Sequence, residues 1–403
     1  MTDPAPARRR HFLDWTRILA FALLVPYHVG MYYVTWDWHI KSPAMATTLE
    51  PWMRLLSAWR MDLLFVVSGA ALSFMLLKGG GADSRFLGER LRRLLVPLVF
   101  GRLVIVPPQS YLEVVQKHGY GGDYLDFLRL YLTGFRGFCG VAGQCLVLPT
   151  WNHLWYLPYL LAYTVALWCA LRLRPRLLDD LARRTDAAPH GAWLFALPIA
   201  YLVATHVVLR ARFPVTHALG DDWYAHSQFL ALFVLGAMLA RSESGWRRIE
   251  AARPLALAAA LVAWAALVWL LPAAAGAGEA VRLARAVAFG VQQWCGLAAA
   301  LGYAARHLDR DGPARRYLTQ AVMPVYLLHQ TLIVLLTHAA LPWQLPPVAE
   351  GPLLIAATFA TSLATYEVVR RIGWLRPLFG LRETKANPLA ARAAGVVAGR
   401  APV

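Results

Sequence analysis

The sequence predicts an all-α, polytopic membrane protein of about ten transmembrane helices, and three observations carry that reading. First, 58% of the 403 residues are hydrophobic, only 16% are charged, and the mean hydropathy is +0.45. That is the composition of a chain that lives in a bilayer. Second, the apolar residues gather into ten stretches, at 12–36, 52–77, 94–107, 151–171, 192–210, 226–240, 254–272, 283–305, 319–339 and 352–370. A helical span needs roughly 20 such residues. Third, the positive charges are unevenly divided. With the N-terminus inside, the cytoplasmic segments hold 28 lysines and arginines and the opposite segments 7, so both termini are expected in the cytoplasm.

The same distribution argues against a nucleic-acid partner. A net charge of +17 would suggest one in a soluble chain, but these arginines sit in short runs between apolar stretches, as topology signals. Residues 1–11 read as a cytoplasmic tail, 12–382 as one transmembrane domain, and 383–403, rich in Ala and Gly, as a disordered cytoplasmic tail. Ala44-Met45-Ala46 offers small residues for signal cleavage, but it lies beyond Trp36, Asp37, Trp38, His39 and Lys41. The first span is therefore read as uncleaved. Trp15, Trp36, Trp38, Trp52, Trp151 and Trp343 fall near span ends, as an interfacial belt would place them.

The first stretch, FLDWTRILAFALLVPYHVGMYYVTW, carries Asp14, Arg17 and His28, groups that are costly at membrane depth and mark function. Arg17 and His28 share one helical stripe, roughly 16 Å apart along the axis. Asp14 can pair with Arg17 at i,i+3. The plainer readings are an arginine snorkelling to the headgroups and a histidine that only hydrogen-bonds. The functional one is a polar stripe facing a cavity, with His28 as a general base of suitable pKa.

In the second stretch, Arg60 and Asp62 lie at a similar depth to His28, suggesting one outer vestibule, unless they simply neutralise each other. Next, KGGGADSRFLGERLRRLLVP places Arg90 and Arg93 on one helical face. Such a pair suits phosphate or is ordinary positive-inside charge. Residues 107–150 read as the longest outer loop, containing Tyr120-Gly-Gly-Asp123 and two cysteines, Cys139 and Cys145, that are free or bridged. His153 and Trp155 open the fourth span at the outer interface, where Trp155 is an anchor or a platform for a sugar ring. His217, Asp221, Asp222, Trp223 and His226 lack tight metal-ligand spacing, and no metal site is assigned. The ninth stretch puts His329 and Gln330 near mid-membrane, as a relay or a helix–helix hydrogen bond. In the tenth, Glu367 lies about as deep as Arg17, and the two are expected to pair.

These residues also carry a resemblance. LDWTR followed by PYHVG, WHIKSP, RMDLLFVVSG, HLWYL and YLLHQ are similar to segments of the acyltransferase 3 family of multi-pass membrane enzymes, in particular its branch acting on periplasmic glucans. The resemblance covers about 12–382. It implies transfer of an acyl group, succinyl or acetyl among the candidates, from cytoplasmic acyl-CoA to a hydroxyl of an extracytoplasmic glycan or similar acceptor. It implies that Arg17 and His28 form the basic residue–histidine pair of helix one. It also implies that Arg90-x-x-Arg93 is the family's RxxR motif, holding the CoA donor. Asp62 stands where the family is expected to vary, which leaves its role open.

The expected partners are therefore acyl-CoA, a hydroxyl acceptor and the bilayer of a bacterial inner membrane, with no permanently bound cofactor. General-base catalysis and an acyl-histidine intermediate both remain open, as does the oligomeric state. A proton-coupled carrier of a small anionic or sugar-like solute is the competing class, although the two halves show no paired broken helices. No GxSxG elbow occurs.

Overall fold

The computed structural model describes residues 10–78, 82–140, 145–188, 191–272 and 278–383. The expectations for the tails, 1–11 and 383–403, fall almost entirely outside the described residues.

The first stretch folds as two helical segments, α1 (His11–Ala22) and α2 (Leu24–Tyr33). Pro26 explains the break at Leu23: it has no N–H for the carbonyl of Ala22, and its ring crowds that carbonyl. The start is capped from far along the chain. Asp309 Oδ1 accepts from the backbone N–H groups of His11 at 2.7 Å and Phe12 at 3.3 Å, satisfying donors that a helix leaves open. The end is capped by Lys41, whose ammonium donates to the carbonyls of Met31 at 2.6 Å, Trp36 at 3.0 Å and Val34. This clamp folds the following segment back over the helix end and brings Trp38 to 5.1 Å from His28, ring to ring.

The second stretch is α3 (Glu50–Ser57), a turn at Ala58-Trp59, and α4 (Arg60–Lys78). Asp83 caps α5 (Ser84–Phe100), accepting from the Phe86 N–H at 2.6 Å. A π-helical turn, Gly101–Ile105, then leads into α6 (Pro107–His118). The segment expected as a long outer loop is thus partly helical: α6 is followed by α7 (Tyr124–Thr133), capped by Asp123. Gly119, at φ +62°, makes the left-handed exit from α6. Cys139 and Cys145 form a disulfide in the segment that follows.

The chain continues through α8 (Tyr156–Leu173), α9 (Leu177–Ala187), α10 (Trp193–Leu209), α11 (Trp223–Leu239), α12 (Glu243–Trp269), α13 (Glu279–His307), α14 (Pro313–Ala340), α15 (Pro347–Val369) and α16 (Leu375–Leu378). Among the described residues, six helical stretches are long and apolar enough to cross a membrane: His11–Tyr33, Thr47–Leu77, Asn152–Leu173, Glu243–Trp269, Pro313–Trp343 and Pro347–Val369. The other four predicted spans also fall on helices. Of these, α10 and α11 are apolar but shorter, while α5 and α13 carry charged residues within the helix.

One contact fixes the wall of the site. A Cβ on Gly69 of α4 would lie 1.9 Å from the Phe233 carbonyl oxygen, and one on Gly236 of α11 would lie 2.0 Å from that of Val66. The two backbones therefore touch, as small residues permit in membrane bundles. This brings the Asp62 end of α4 against the Gln228 end of α11.

Candidate active site

A cavity of ≈ 580 Å³ opens in the bundle among residues of α2, α4, α11, α13, α14 and the turn Asn152–Trp155 that leads into α8. His28, Arg60, Asp62, His153, Trp155 and His329 all line it. Those expected site residues are thus brought together, from elements far apart in sequence.

His28 and His329 are joined directly. Nδ1 of His28 lies 3.0 Å from Nε2 of His329, with the rings nearly parallel at 11°. His329 Nδ1 lies 2.7 Å from the carbonyl oxygen of Tyr326. A carbonyl only accepts, so His329 carries its proton on Nδ1 and, as a neutral ring, accepts at Nε2. His28 must then donate from Nδ1, and its Nε2 lone pair is left for another group. Among the described residues nothing hydrogen-bonds to that nitrogen. Second-partner control of a histidine tautomer is the device by which such rings are made directional bases.

His153 has no such free nitrogen. Its Nε2 donates to the Leu327 carbonyl at 3.0 Å and its Nδ1 accepts from Gln109 at 3.3 Å. It stands edge-on to His329 at 5.0 Å and braces it. Gln109 in turn accepts from Gln330 at 3.2 Å, and Gln330 also donates to His39 Nε2 at 2.7 Å. His39 Nδ1 meets Glu113 at 2.6 Å, and Glu113 meets Lys117 at 2.9 Å. Burial alone would raise the Glu113 carboxyl, but His39 and Lys117 outweigh it and hold it down at about 2. This network was missed from the sequence. Its only local cue is the polar pair His39 and Lys41 just after helix one; Glu113 and Lys117 lie in the stretch read as an outer loop.

Arg60 and Asp62 do not neutralise each other. Two residues apart on a helix, they do not face each other, although both border the cavity. Arg60 lies over the Tyr27 ring, 3.4 Å from its centroid, and Asp62 accepts from Gln293 at 2.8 Å. Trp155 is no open sugar platform: His217 stacks on it at 4.1 Å and Phe229 lies 5.5 Å away at 30°. His217, Asp222 and His226 are also engaged nearby. The backbone N–H of His217 donates to Asp222 at 3.1 Å, Tyr159 donates to Asp222 at 2.6 Å, and His226 meets Tyr163 at 2.9 Å.

Arg17, Arg90 and Arg93 form a second centre towards the start of α1. Arg17 is close enough to act electrostatically on both of the others, and Arg382 joins the group beside Arg93. The Nε atoms of Arg17 and Arg90 are buried without a partner, while Arg17 Nη2 reaches the Thr319 carbonyl at 3.5 Å. None of the three lines the cavity. Three rings stand between the centres: Phe21 lies 5.0 Å from Tyr326 and 6.1 Å from Tyr156. Tyr156 is pinned by Ser68 at 2.5 Å.

The remaining expectations change. Asp14 still acts electrostatically on Arg17, but it is also held by Arg315, a residue only 2% exposed that meets Asp311 at 2.7 Å. Glu367 does not turn to Arg17. It is met instead by Arg370 at 3.1 Å and Arg371 at 3.4 Å on its own C-terminal side, where the i,i+3 and i,i+4 geometry supplies partners locally.

Fold and site together define a multi-pass helical membrane protein with a histidine-bearing polar cavity in its bundle. The acyltransferase 3 family, described as an acyltransferase domain, matches residues 10–367, and the chain belongs to that family. It is 24% identical over 242 residues to the glucans biosynthesis protein C of Escherichia coli strain SMS-3-5 / SECEC and to that of strain K12. The match covers 59% of this chain and 59% of each of those relatives, so the chain spans less than two thirds of the length of the curated relatives it matches. No solved structure matches it significantly.

Proposed function

We propose that this protein is a membrane-embedded O-acyltransferase that moves an acyl group from cytoplasmic acyl-CoA to a hydroxyl of an extracytoplasmic glycan or similar acceptor. The reading includes ten spans, both termini in the cytoplasm, and residence in a bacterial inner membrane. The observation that carries it is the His28–His329–Tyr326 hydrogen-bond chain, which leaves His28 Nε2 as a lone pair in a polar cavity.

In the proposed step His28 Nε2 takes the proton of the acceptor hydroxyl as its oxygen attacks the thioester carbonyl. The new C–O bond forms, the C–S bond breaks, and the CoA thiolate leaves and recovers the proton. His329 steadies the imidazolium through the shared hydrogen bond, as a positioning residue. Arg17, Arg90 and Arg93 would hold CoA phosphates by charge-assisted bonds. A pantetheine arm is of the order needed to reach along helix one from Arg17 to His28, roughly 16 Å. Acyl-CoA is a substrate here, and no resident cofactor is invoked.

The test is donor dependence. Purified protein in nanodiscs with a neutral glucan oligosaccharide should yield an acylated, heavier product by mass spectrometry only when acyl-CoA is supplied. Absence of ester with every short acyl-CoA offered, from folded protein, would overturn the reading.

A further inference from the structure

The wall of the cavity holds unmet hydrogen-bonding groups that the acyl-transfer step does not use. Arg60 is 6% exposed, and its Nε and Nη1 have no partner. Asp62, 3% exposed, gives one oxygen to Gln293 and leaves Oδ1 without a donor. Gln293 gives its amide N–H groups to Asp62 and to Gln228, at 3.0 Å for the latter, and leaves Oε1 unmet. Buried groups of this kind are costly unless something satisfies them. Here the three residues that carry these unmet donors and acceptors all border one cavity.

The pattern selects a ligand. Nε and Nη1 do not share an edge of the guanidinium, so one carboxylate cannot chelate both in the side-on fork. An anionic ligand would also face Asp62, and a cationic one would face Arg60. A hydroxyl accepts at oxygen and donates its hydrogen, so neighbouring hydroxyls satisfy both kinds of group without adding charge. We propose that Arg60, Asp62 and Gln293 form a specificity subsite that binds adjacent hydroxyls of an uncharged polyol. The subsite adjoins the base: Arg60 packs on Tyr27, whose ring centroid is 5.8 Å from that of His28. Calling this polyol the acceptor rests on the acyl-transfer reading, whereas its binding does not.

The experiment is a tryptophan-fluorescence titration of the full chain in nanodiscs, without acyl donor. The probes are a neutral glucose oligosaccharide and the same oligosaccharide oxidised at one C6 to the uronate. Wild type should bind the neutral probe at least about ten-fold more tightly. Asp62→Asn removes the opposing charge and should reverse that order, and Gln293→Leu should weaken the neutral probe by about ten-fold to a hundred-fold. A wild type that prefers the uronate or binds neither probe overturns the subsite, as does an unchanged order in folded Asp62→Asn. Should that variant not fold, unchanged neutral affinity in Gln293→Leu overturns it instead. Acyl transfer is assayed separately on the same preparation. Transfer without this binding pattern removes the subsite alone, and the pattern without transfer removes the acyltransferase reading alone.

Discussion

His28 Nδ1 and His329 Nε2 are 3.0 Å apart, and the Tyr326 carbonyl behind His329 fixes which of them donates. His329 is thus assigned to aiming the base. A glutamine offers a carbonyl oxygen that accepts the same bond, and alanine offers nothing. His329→Ala should lower kcat by about 10–100-fold, the usual cost of losing an orienting partner, with KM for acyl-CoA unchanged. His329→Gln should recover part of that loss. Equal losses in the two variants would assign His329 a direct chemical role.

The three-ring barrier predicts a separation of donor binding from transfer. Phe21 sits on helix one between Arg17 and His28, against Tyr156 and Tyr326. Phe21→Trp enlarges the barrier and should reduce single-turnover transfer at least about ten-fold, since packed interiors resist added volume. CoA affinity should stay as it was. Parallel loss of both would mean that the donor does not pass this point.

At the arginine-rich centre, Arg90→Ala with Arg93→Ala should weaken CoA binding first. Charge-assisted hydrogen bonds contribute about 1.5–3 kcal/mol each, so the double variant should lose at least about a hundred-fold in affinity measured by calorimetry. Unchanged affinity would return both arginines to topology signals.

The Glu113 carboxyl gives a pH prediction. Its folded value is depressed to about 2 from an ordinary 4.5. Its stabilising contribution is therefore complete above the unfolded value and is lost as pH falls from about 4.5 towards 2. Thermal melts in detergent should drop across that window in wild type and drop less in Glu113→Gln, which starts lower. An equal drop in both would show that other carboxylates govern acid sensitivity.

What the sequence disclosed follows from how far each signal reaches along the chain. The stripe of Arg17 and His28 is set by helical period, and Arg60 and Asp62 by depth along α4, so these were readable locally. Partner choice was not. Asp14 is held across helices by Arg315, a pairing that depends on packing periodicity does not encode, while Glu367 took Arg370 and Arg371 at i,i+3 and i,i+4 in place of Arg17. His39 and Glu113 meet across 74 positions in the chain, through a fold-back that Lys41 holds in place. Trp155 looked available from its position at a span end, and only the loop carrying His217 closes it.

The most direct measurement is single-turnover acyl transfer by His28→Ala, with acyl-CoA binding followed on the same folded preparation. The account predicts that donor affinity stays within about two-fold while the transfer rate falls by about 10²–10⁴-fold, the loss typical of a general base. Wild-type turnover in that variant would contradict it, and so would a loss explained entirely by weaker donor binding.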